Sequence, residues 1–182
     1  ALDIGNVCVK LSQEKALGAL GYRSLGEVPA DFLKATELME RGLLSEDEWL
    51  ATYRKSSGTD LGDDKLRSIW NLIIGDEIEG MADSLRKAVA KGFRVIFFSD
   101  TSDLHINEVY RKLSFAHLVS GGIFSFKEGA KKPENRMYEA FEAQYGKPSC
   151  YIDDLPQNIE AALKRGWNAV LFTGPEVFSK AI

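Results

Sequence analysis

The sequence predicts an α/β fold: a Rossmann-like parallel sheet with helices on both faces and an inserted all-helical cap. Apolar runs of strand length alternate with helical segments after residue 80, and this alternation is typical of a parallel sheet. Between residues 12 and 79, apolar residues recur at spacings of three and four, which indicates helices. We therefore predict an α/β core domain at residues 1–11 and 80–182, and a helical cap domain at residues 12–79.

Composition narrows the class of protein. The 182-residue chain has a formal net charge of −4 and is 45% hydrophobic, which is ordinary for a globular domain with a real core. Nothing suggests the basic surface that nucleic acids require, no run approaches the ~20 apolar residues that span a bilayer, and no secretory signal is recognisable. We expect no nucleic-acid and no membrane partner, and the oligomeric state stays open.

Two isolated cysteines, Cys8 and Cys150, lack the spacing of a metal site. Isolated cysteines of this kind are typical of a reducing compartment, so we expect reduced thiols and a cytoplasmic protein.

The first seven residues, Ala1-Leu2-Asp3-Ile4-Gly5-Asn6-Val7, run from apolar side chains through a carboxylate into a glycine. We interpret them as the end of a buried parallel strand followed by a turn, with a loop to about Leu11. Such a strand places Asp3 at the carboxyl edge of the sheet, where open α/β sheets bind ligands. Because strands usually have about five or six residues, we expect that a few residues upstream are missing from this numbering.

Start and stop signals subdivide the inserted segment, whose helical pattern extends to about Glu79. Ser45 and Glu48 form a predicted capping box at one helix start, and Pro29 precedes another. Residues 58–62, with a glycine at each end, indicate a loop between helices.

The remainder of the chain predicts four helices and four strands. The predicted helices are 81–91, 104–113, 136–145 and 157–165, and the predicted strands are 94–99, 119–124, 149–152 and 169–172. The first of these strands is continuously apolar at its centre, Val95-Ile96-Phe97-Phe98, which is typical of a strand that is buried on both faces.

Polar side chains follow the ends of several predicted strands or lie just beyond them. They are Asp3, Ser99, Lys132 and the adjacent pair Asp153 and Asp154. Each is common alone, because a serine often caps a strand, a lysine is usually solvated and two aspartates often start a helix. At one edge of one sheet, however, the carboxylates could hold a divalent cation. Lys132 could then offset the charge of a phosphate, and Ser99 could donate to its oxygens.

In this order the segments resemble the four motifs of the haloacid dehalogenase-like (HAD) hydrolase superfamily, over nearly the whole chain. The four segments are Asp3-Ile4-Gly5-Asn6-Val7, Val95-Ile96-Phe97-Phe98-Ser99, Lys132-Pro133 and Tyr151-Ile152-Asp153-Asp154. The inserted helices, with residues 40–45 and 156–159, resemble one subgroup of this superfamily. That subgroup includes small sugar-phosphate phosphatases and the amino-terminal phosphatase domain of epoxide hydrolases.

The resemblance implies a Mg²⁺-dependent phosphatase that hydrolyses a small phosphomonoester, for example a sugar phosphate. It implies that Asp3 is the nucleophile and forms an aspartyl-phosphate. It also implies that Ser99 and Lys132 bind the phosphate, with Lys132 pairing with the nucleophile as well. The cap would close over the substrate and exclude water.

The same resemblance implies a metal site. Mg²⁺ would be held by Asp3, the backbone carbonyl of Gly5 and Asp154. Asp153 would lie behind the direct metal ligands and would orient Lys132 or a metal-bound water.

Two positions depart from the family's pattern. Gly5 stands where most phosphatases of the family carry a second Asp, which protonates the leaving group and later activates water. Because general acid–base catalysis contributes about 10²–10⁴-fold, we expect slow turnover of substrates with poor leaving groups. Asp100 stands at a predicted substrate-binding position where an Asn amide usually donates to the phosphate. A carboxylate there repels an anion, unless it serves as a substitute acid.

Three other hypotheses stay open or are disfavoured. A haloacid dehalogenase uses the same nucleophile without a metal, and the intact Asp153-Asp154 pair argues against it. Gly5 and Asp100 leave room for a catalytically weakened protein that binds a phosphorylated ligand or a protein partner. A phospho-acceptor receiver domain carries its acid pair on the first strand and has no long helical insertion, so the order seen here disfavours it.

Overall fold

The computed structural model describes residues 1–178. In chain order its strands are β1 (Val9–Leu11), β2 (Ile74–Glu77), β3 (Val95–Ser99), β4 (Val119–Phe124), β5 (Tyr151–Asp153) and β6 (Ala169–Leu171). Its helices are α1 (Gln13–Ala19), α2 (Ala30–Glu40), α3 (Glu46–Ser57), α4 (Asp63–Trp70), α5 (Met81–Ala90), α6 (Asp103–Lys112), α7 (Ser125–Glu128), α8 (Asn135–Tyr145) and α9 (Pro156–Lys164). The four helices and four strands predicted after residue 80 therefore lie within a few residues of their predicted positions, whereas α7 was not predicted.

The amino-terminal segment joins two pairs of parallel strands into one sheet. β3 pairs with β4 and β5 pairs with β6, both in parallel, while Leu2 pairs in parallel with Phe97 on one side and Ile152 on the other. The amide of Leu2 donates to the carbonyl of Ile96 at 2.9 Å, and the amide of Asp3 donates to that of Ile152 at 3.0 Å. Asp3 therefore follows a central strand position, which confirms the interpretation of the first residues.

Burial on both faces explains the continuous apolar run in β3. Ile96 and Phe98 belong to one hydrophobic cluster, which includes Trp167, whereas Val95 and Phe97 belong to the cluster on the other face. Every residue of β3 is buried. Because successive side chains of a strand point to opposite faces, both sets must be apolar.

Helices α1 to α4 build a third hydrophobic cluster around four aromatic residues, Phe32, Trp49, Tyr53 and Trp70. The ring of Phe32 lies 4.6 Å from that of Tyr53 and 5.5 Å from that of Trp70, measured between centroids. The predicted capping box is present at the start of α3. These helices thus have a core of their own, while the exact division of the chain into two domains stays a prediction.

The helical pattern predicted to about Glu79 is wrong for its last residues. Residues 74–77 form β2, which pairs antiparallel with β1. The residues of β1 were predicted to be a turn or loop, so that prediction is wrong as well. The strands approach closely, because a Cβ atom on Gly75 would lie only 2.6 Å from the carbonyl oxygen of Lys10. Local periodicity does not reveal such pairing, since strand formation depends on a partner that is distant in sequence.

Two other predictions concern the environment of the chain. Within residues 1–178, no helix combines the length and apolar character that crossing a membrane requires. Cys8 and Cys150 are both buried and form no disulfide.

Candidate active site

The side chain of Lys132 connects two of the other predicted site residues, Asp3 and Asp153. Its Nζ donates to Asp3 Oδ1 at 2.7 Å, to Asp153 Oδ2 at 2.6 Å and to the carbonyl of Phe98 at 2.8 Å. The residue lies in the loop before α8 and is only 8% exposed. Burial disfavours the ammonium group, but the carboxylates of Asp3 and Asp153 outweigh it and raise the pKa of Lys132. The lysine is therefore charged at neutral pH and holds two strand ends together.

Asp153 is fully buried and held by donors on both carboxylate oxygens. Oδ1 accepts from the amide of Leu155 at 2.9 Å and from Nδ2 of Asn158 at 3.0 Å. Oδ2 accepts from Lys132 and from the hydroxyl of Tyr151. Burial alone would raise the pKa of Asp153, but Lys132 and these donors hold it below its usual value. This arrangement suits a residue that orients Lys132 better than one that binds a metal directly.

Asp3 is the second buried carboxylate and is 7% exposed. Burial raises the pKa of Asp3 to about 7, against the opposing effect of the Lys132 ammonium, and the charge of Asp153 adds to the rise. Further positive charge beside Asp3 would stabilise its ionised form. A cation bound at this edge of the sheet would supply that charge.

The donor set at this edge fits Mg²⁺. Carboxylate oxygens of Asp3, Asp153 and Asp154 lie within 4.8 Å of one another. Asp154 is half-buried, and burial together with the charge of Asp153 raises its pKa. Oxygen ligands are the ones that Mg²⁺ prefers. Asp3 and Asp154, with the carbonyl of Gly5 in the turn that follows Asp3, could therefore hold the ion.

Ser99 is the last residue of the neighbouring strand β3, and Asp100 follows it. Ser99 is 3% exposed, and its hydroxyl makes only a long contact of 3.5 Å with the carbonyl of Asp100. Asp100 is half-buried, and its Oδ1 accepts from the backbone amide of Lys132 at 2.9 Å. Burial raises the pKa of Asp100, although Lys132 opposes the shift. Asp100 thus fixes the Lys132 loop to the end of β3.

Three supporting side chains were not predicted from the sequence. Asn158 and Tyr151 both donate to Asp153, and Asn6 Nδ2 donates to Asp154 Oδ2 at 3.3 Å. Signals in the sequence exist for two of them. Tyr151 lies two residues before Asp153 on the same face of β5. Asn6 has a φ of +52°, and asparagine after a glycine is typical of a turn that needs this conformation.

A cavity of about 280 Å³ lies between the inserted helices and this edge of the sheet. Gly5, Ser99, Asp100 and Thr101 line it on the side of the sheet. The apolar lining includes Leu11, Leu17, Leu25, Leu33, Trp70 and Ile73. Ligand sites usually have volumes of about 300–1,000 Å³, so the cavity suits a small molecule.

Ion pairs connect α2 with the loop that carries Lys132. Arg41 pairs with Glu37 and Glu134 at 2.7 Å each, while Lys131 pairs with Glu37 at 3.1 Å and with Glu40 at 2.7 Å. Partly exposed ion pairs of this kind contribute little to stability. Their positions nevertheless place α2 directly beside the loop that carries Lys132.

Comparisons with known proteins place the fold. No protein-family model matches the chain, and no curated protein matches its sequence. Among solved structures, an HAD family enzyme from Bacteroides thetaiotaomicron superposes with a TM-score of 0.83 at 20% identity, over 95% of this chain and 92% of that chain. That enzyme has also been solved in complex with magnesium and inorganic phosphate.

Two further structures extend this likeness. A predicted HAD-like family hydrolase from Porphyromonas gingivalis has a TM-score of 0.76 at 17% identity, over 93% of this chain and 88% of that chain. An L-2-haloacid dehalogenase from Xanthobacter autotrophicus, with chloropropionic acid covalently bound, has a TM-score of 0.63 at 11% identity, over 93% and 75% of the two chains. The chain therefore has the fold of the haloacid dehalogenase-like hydrolases.

Proposed function

We propose that this protein is a Mg²⁺-dependent HAD-like phosphatase that hydrolyses a small phosphomonoester through an aspartyl-phosphate on Asp3. The observation that carries the proposal is the buried cluster in which Lys132 contacts Asp3 and Asp153, with Asp154 beside them. One nucleophilic carboxylate, one fixed cation and an oxygen donor set for a metal are what phosphoryl transfer from a monoester requires.

The first step transfers the phosphoryl group to the protein. A carboxylate oxygen of Asp3 attacks phosphorus, and the bond between phosphorus and the leaving oxygen breaks. The electron pair stays on the leaving oxygen, which takes a proton from water. Lys132 and the Ser99 hydroxyl bind the phosphate oxygens during this step, and bound Mg²⁺ would neutralise further negative charge.

The second step restores the protein. Water attacks the phosphorus of the aspartyl-phosphate and the bond to the Asp3 oxygen breaks, which restores the Asp3 carboxylate. Inorganic phosphate leaves with the oxygen and the protons of the water. Asp153 keeps Lys132 in position throughout, because its own oxygens are held by Asn158 and Leu155.

Hydrolysis of p-nitrophenyl phosphate tests the proposal. We expect release of p-nitrophenol with Mg²⁺, none with EDTA and none with the Asp3→Asn variant. Asp64→Asn is the matched control, because the Asp64 side chain is fully exposed at the start of α4 and should leave the rate unchanged.

Other outcomes would point to other functions. Chloride released from 2-chloropropionate without a metal would indicate a dehalogenase. No hydrolysis, together with measurable affinity for inorganic phosphate, would indicate a binding protein.

A further inference from the structure

The cavity lies where a leaving group must go. Gly5 and Ser99 line it. Gly5 lies two residues after the proposed nucleophile Asp3, and Ser99 ends the strand that pairs with Leu2 beside Asp3. A phosphate held by Ser99 and Lys132 therefore directs its ester oxygen and the attached group towards the inserted helices. The lining of this cavity then selects the substrate.

The chemistry of the lining favours an uncharged, apolar group. The inserted helices supply leucine side chains and the indole of Trp70, together with the polar side chains of Gln13 and Thr36. The charged residues that line the cavity are Glu37, Glu40 and Asp100, all acidic. Lys131, which pairs with Glu37 and Glu40, and Arg41, which pairs with Glu37, do not belong to the lining. A second carboxylate or phosphate on the leaving group would therefore meet like charge.

The turn after Asp3 adds a second, independent restriction. Gly5 supplies no side chain, and a Cβ atom built there would lie 2.8 Å from Cδ1 of Leu11. An apolar side chain thus occupies the space beside the turn, so no titratable group projects from it towards the leaving oxygen. Because a general acid contributes about 10²–10⁴-fold for a poor leaving group, a group that departs as a stable anion is favoured.

We propose that the substrate is an aryl phosphate, a monoester whose leaving group is an uncharged aromatic alcohol. This inference rests on the proposed phosphatase function. A phenolate departs without protonation and takes its proton from water afterwards, so the step balances without an acid at Gly5. The aromatic ring replaces water against the leucines and Trp70 of the cavity.

A panel of phosphate esters tests the inference. With Mg²⁺ present, we expect kcat/KM for phenyl phosphate to exceed that for benzyl phosphate, which is equally apolar but has a poor leaving group, by about tenfold or more. Glucose 6-phosphate and phosphoglycolate should be slower than phenyl phosphate by about 100-fold.

A pair of variants tests the location of the ring. Leu33 is 40% exposed and lines the cavity from α2, whereas Leu43 is 63% exposed and does not line it. Leu33→Glu should lower kcat/KM for phenyl phosphate about tenfold and leave the Kd of inorganic phosphate unchanged. Leu43→Glu should change neither quantity by more than about twofold. Circular dichroism of both variants checks that they are folded.

The outcomes separate the inference from the proposed function. Faster hydrolysis of glucose 6-phosphate or phosphoglycolate would overturn the inference and leave the phosphatase intact. Equal rates for benzyl and phenyl phosphate would overturn it. Loss of the benzyl rate in Asp100→Asn would then identify Asp100 as the acid. No hydrolysis of any ester, p-nitrophenyl phosphate included, would overturn both.

Discussion

Replacing Lys132 with methionine tests the buried cluster. Methionine keeps most of the length of the side chain and removes its charge. The variant leaves Asp3 and Asp153 together without the cation that both contact. Removing one member of a buried ion pair typically costs about 3–5 kcal/mol of stability. We expect the lower end, about 3 kcal/mol, because Asp153 keeps the donors of Asn158 and Leu155.

Urea unfolding in EDTA at pH 8 measures this loss. The pKa of Asp3 is about 7, so its carboxyl is largely ionised at pH 8. Loss of Lys132 removes an effect that lowers this pKa, so the variant's Asp3 takes up a proton more readily as the pH falls. The destabilisation should therefore be smaller at pH 6 than at pH 8.

Lys131→Met is the matched control. Lys131 is the preceding residue, and it pairs with Glu37 and Glu40 nearer the surface, where ion pairs contribute about 0.2–1 kcal/mol each. Its loss should be about 2 kcal/mol or less. Equal losses for the two variants, or a loss at Lys132 that does not depend on pH, would refute the reasoning.

Two further substitutions follow from the geometry. Asp100→Asn keeps the acceptor for the Lys132 amide and removes a negative charge beside the proposed phosphate position. KM for p-nitrophenyl phosphate should therefore fall about tenfold, which corresponds to about 1.4 kcal/mol of binding free energy. A higher KM would contradict this role. Gly42→Ala should destabilise the protein by about 2 kcal/mol or more in urea unfolding, since the added Cβ would meet the carbonyl of Phe126. Gly58→Ala shares the positive φ but meets nothing within 4 Å, so it should cost clearly less than Gly42→Ala.

The core and the convergence of its polar residues could be predicted because both follow from local patterns. The apolar run of β3 and the alternation of strands and helices are visible within short windows. Carboxyl ends of parallel strands meet at one edge of a sheet, so Asp3, Ser99 and Asp153 were expected to lie together. Their roles in catalysis stay predictions until the assays above are made.

Features that depend on distant partners could not be predicted. β1 and β2 form only because residues 9–11 and 74–77 meet. The direction of a side chain is equally hidden, so neither the place of Leu11 beside Gly5 nor the hydrogen bond from the Lys132 amide to Asp100 was visible in the sequence. Substrate specificity depends mainly on such features, so the proposal of a substrate class required the three-dimensional arrangement.

Detection of the covalent intermediate tests the central claim most directly. The protein is mixed briefly with p-nitrophenyl phosphate and Mg²⁺, quenched in acid, digested and examined by mass spectrometry. A phosphoryl group on Asp3, absent with EDTA, is the predicted result. Release of phosphate with no phosphoryl group on Asp3, or with the group on another residue, would contradict the account.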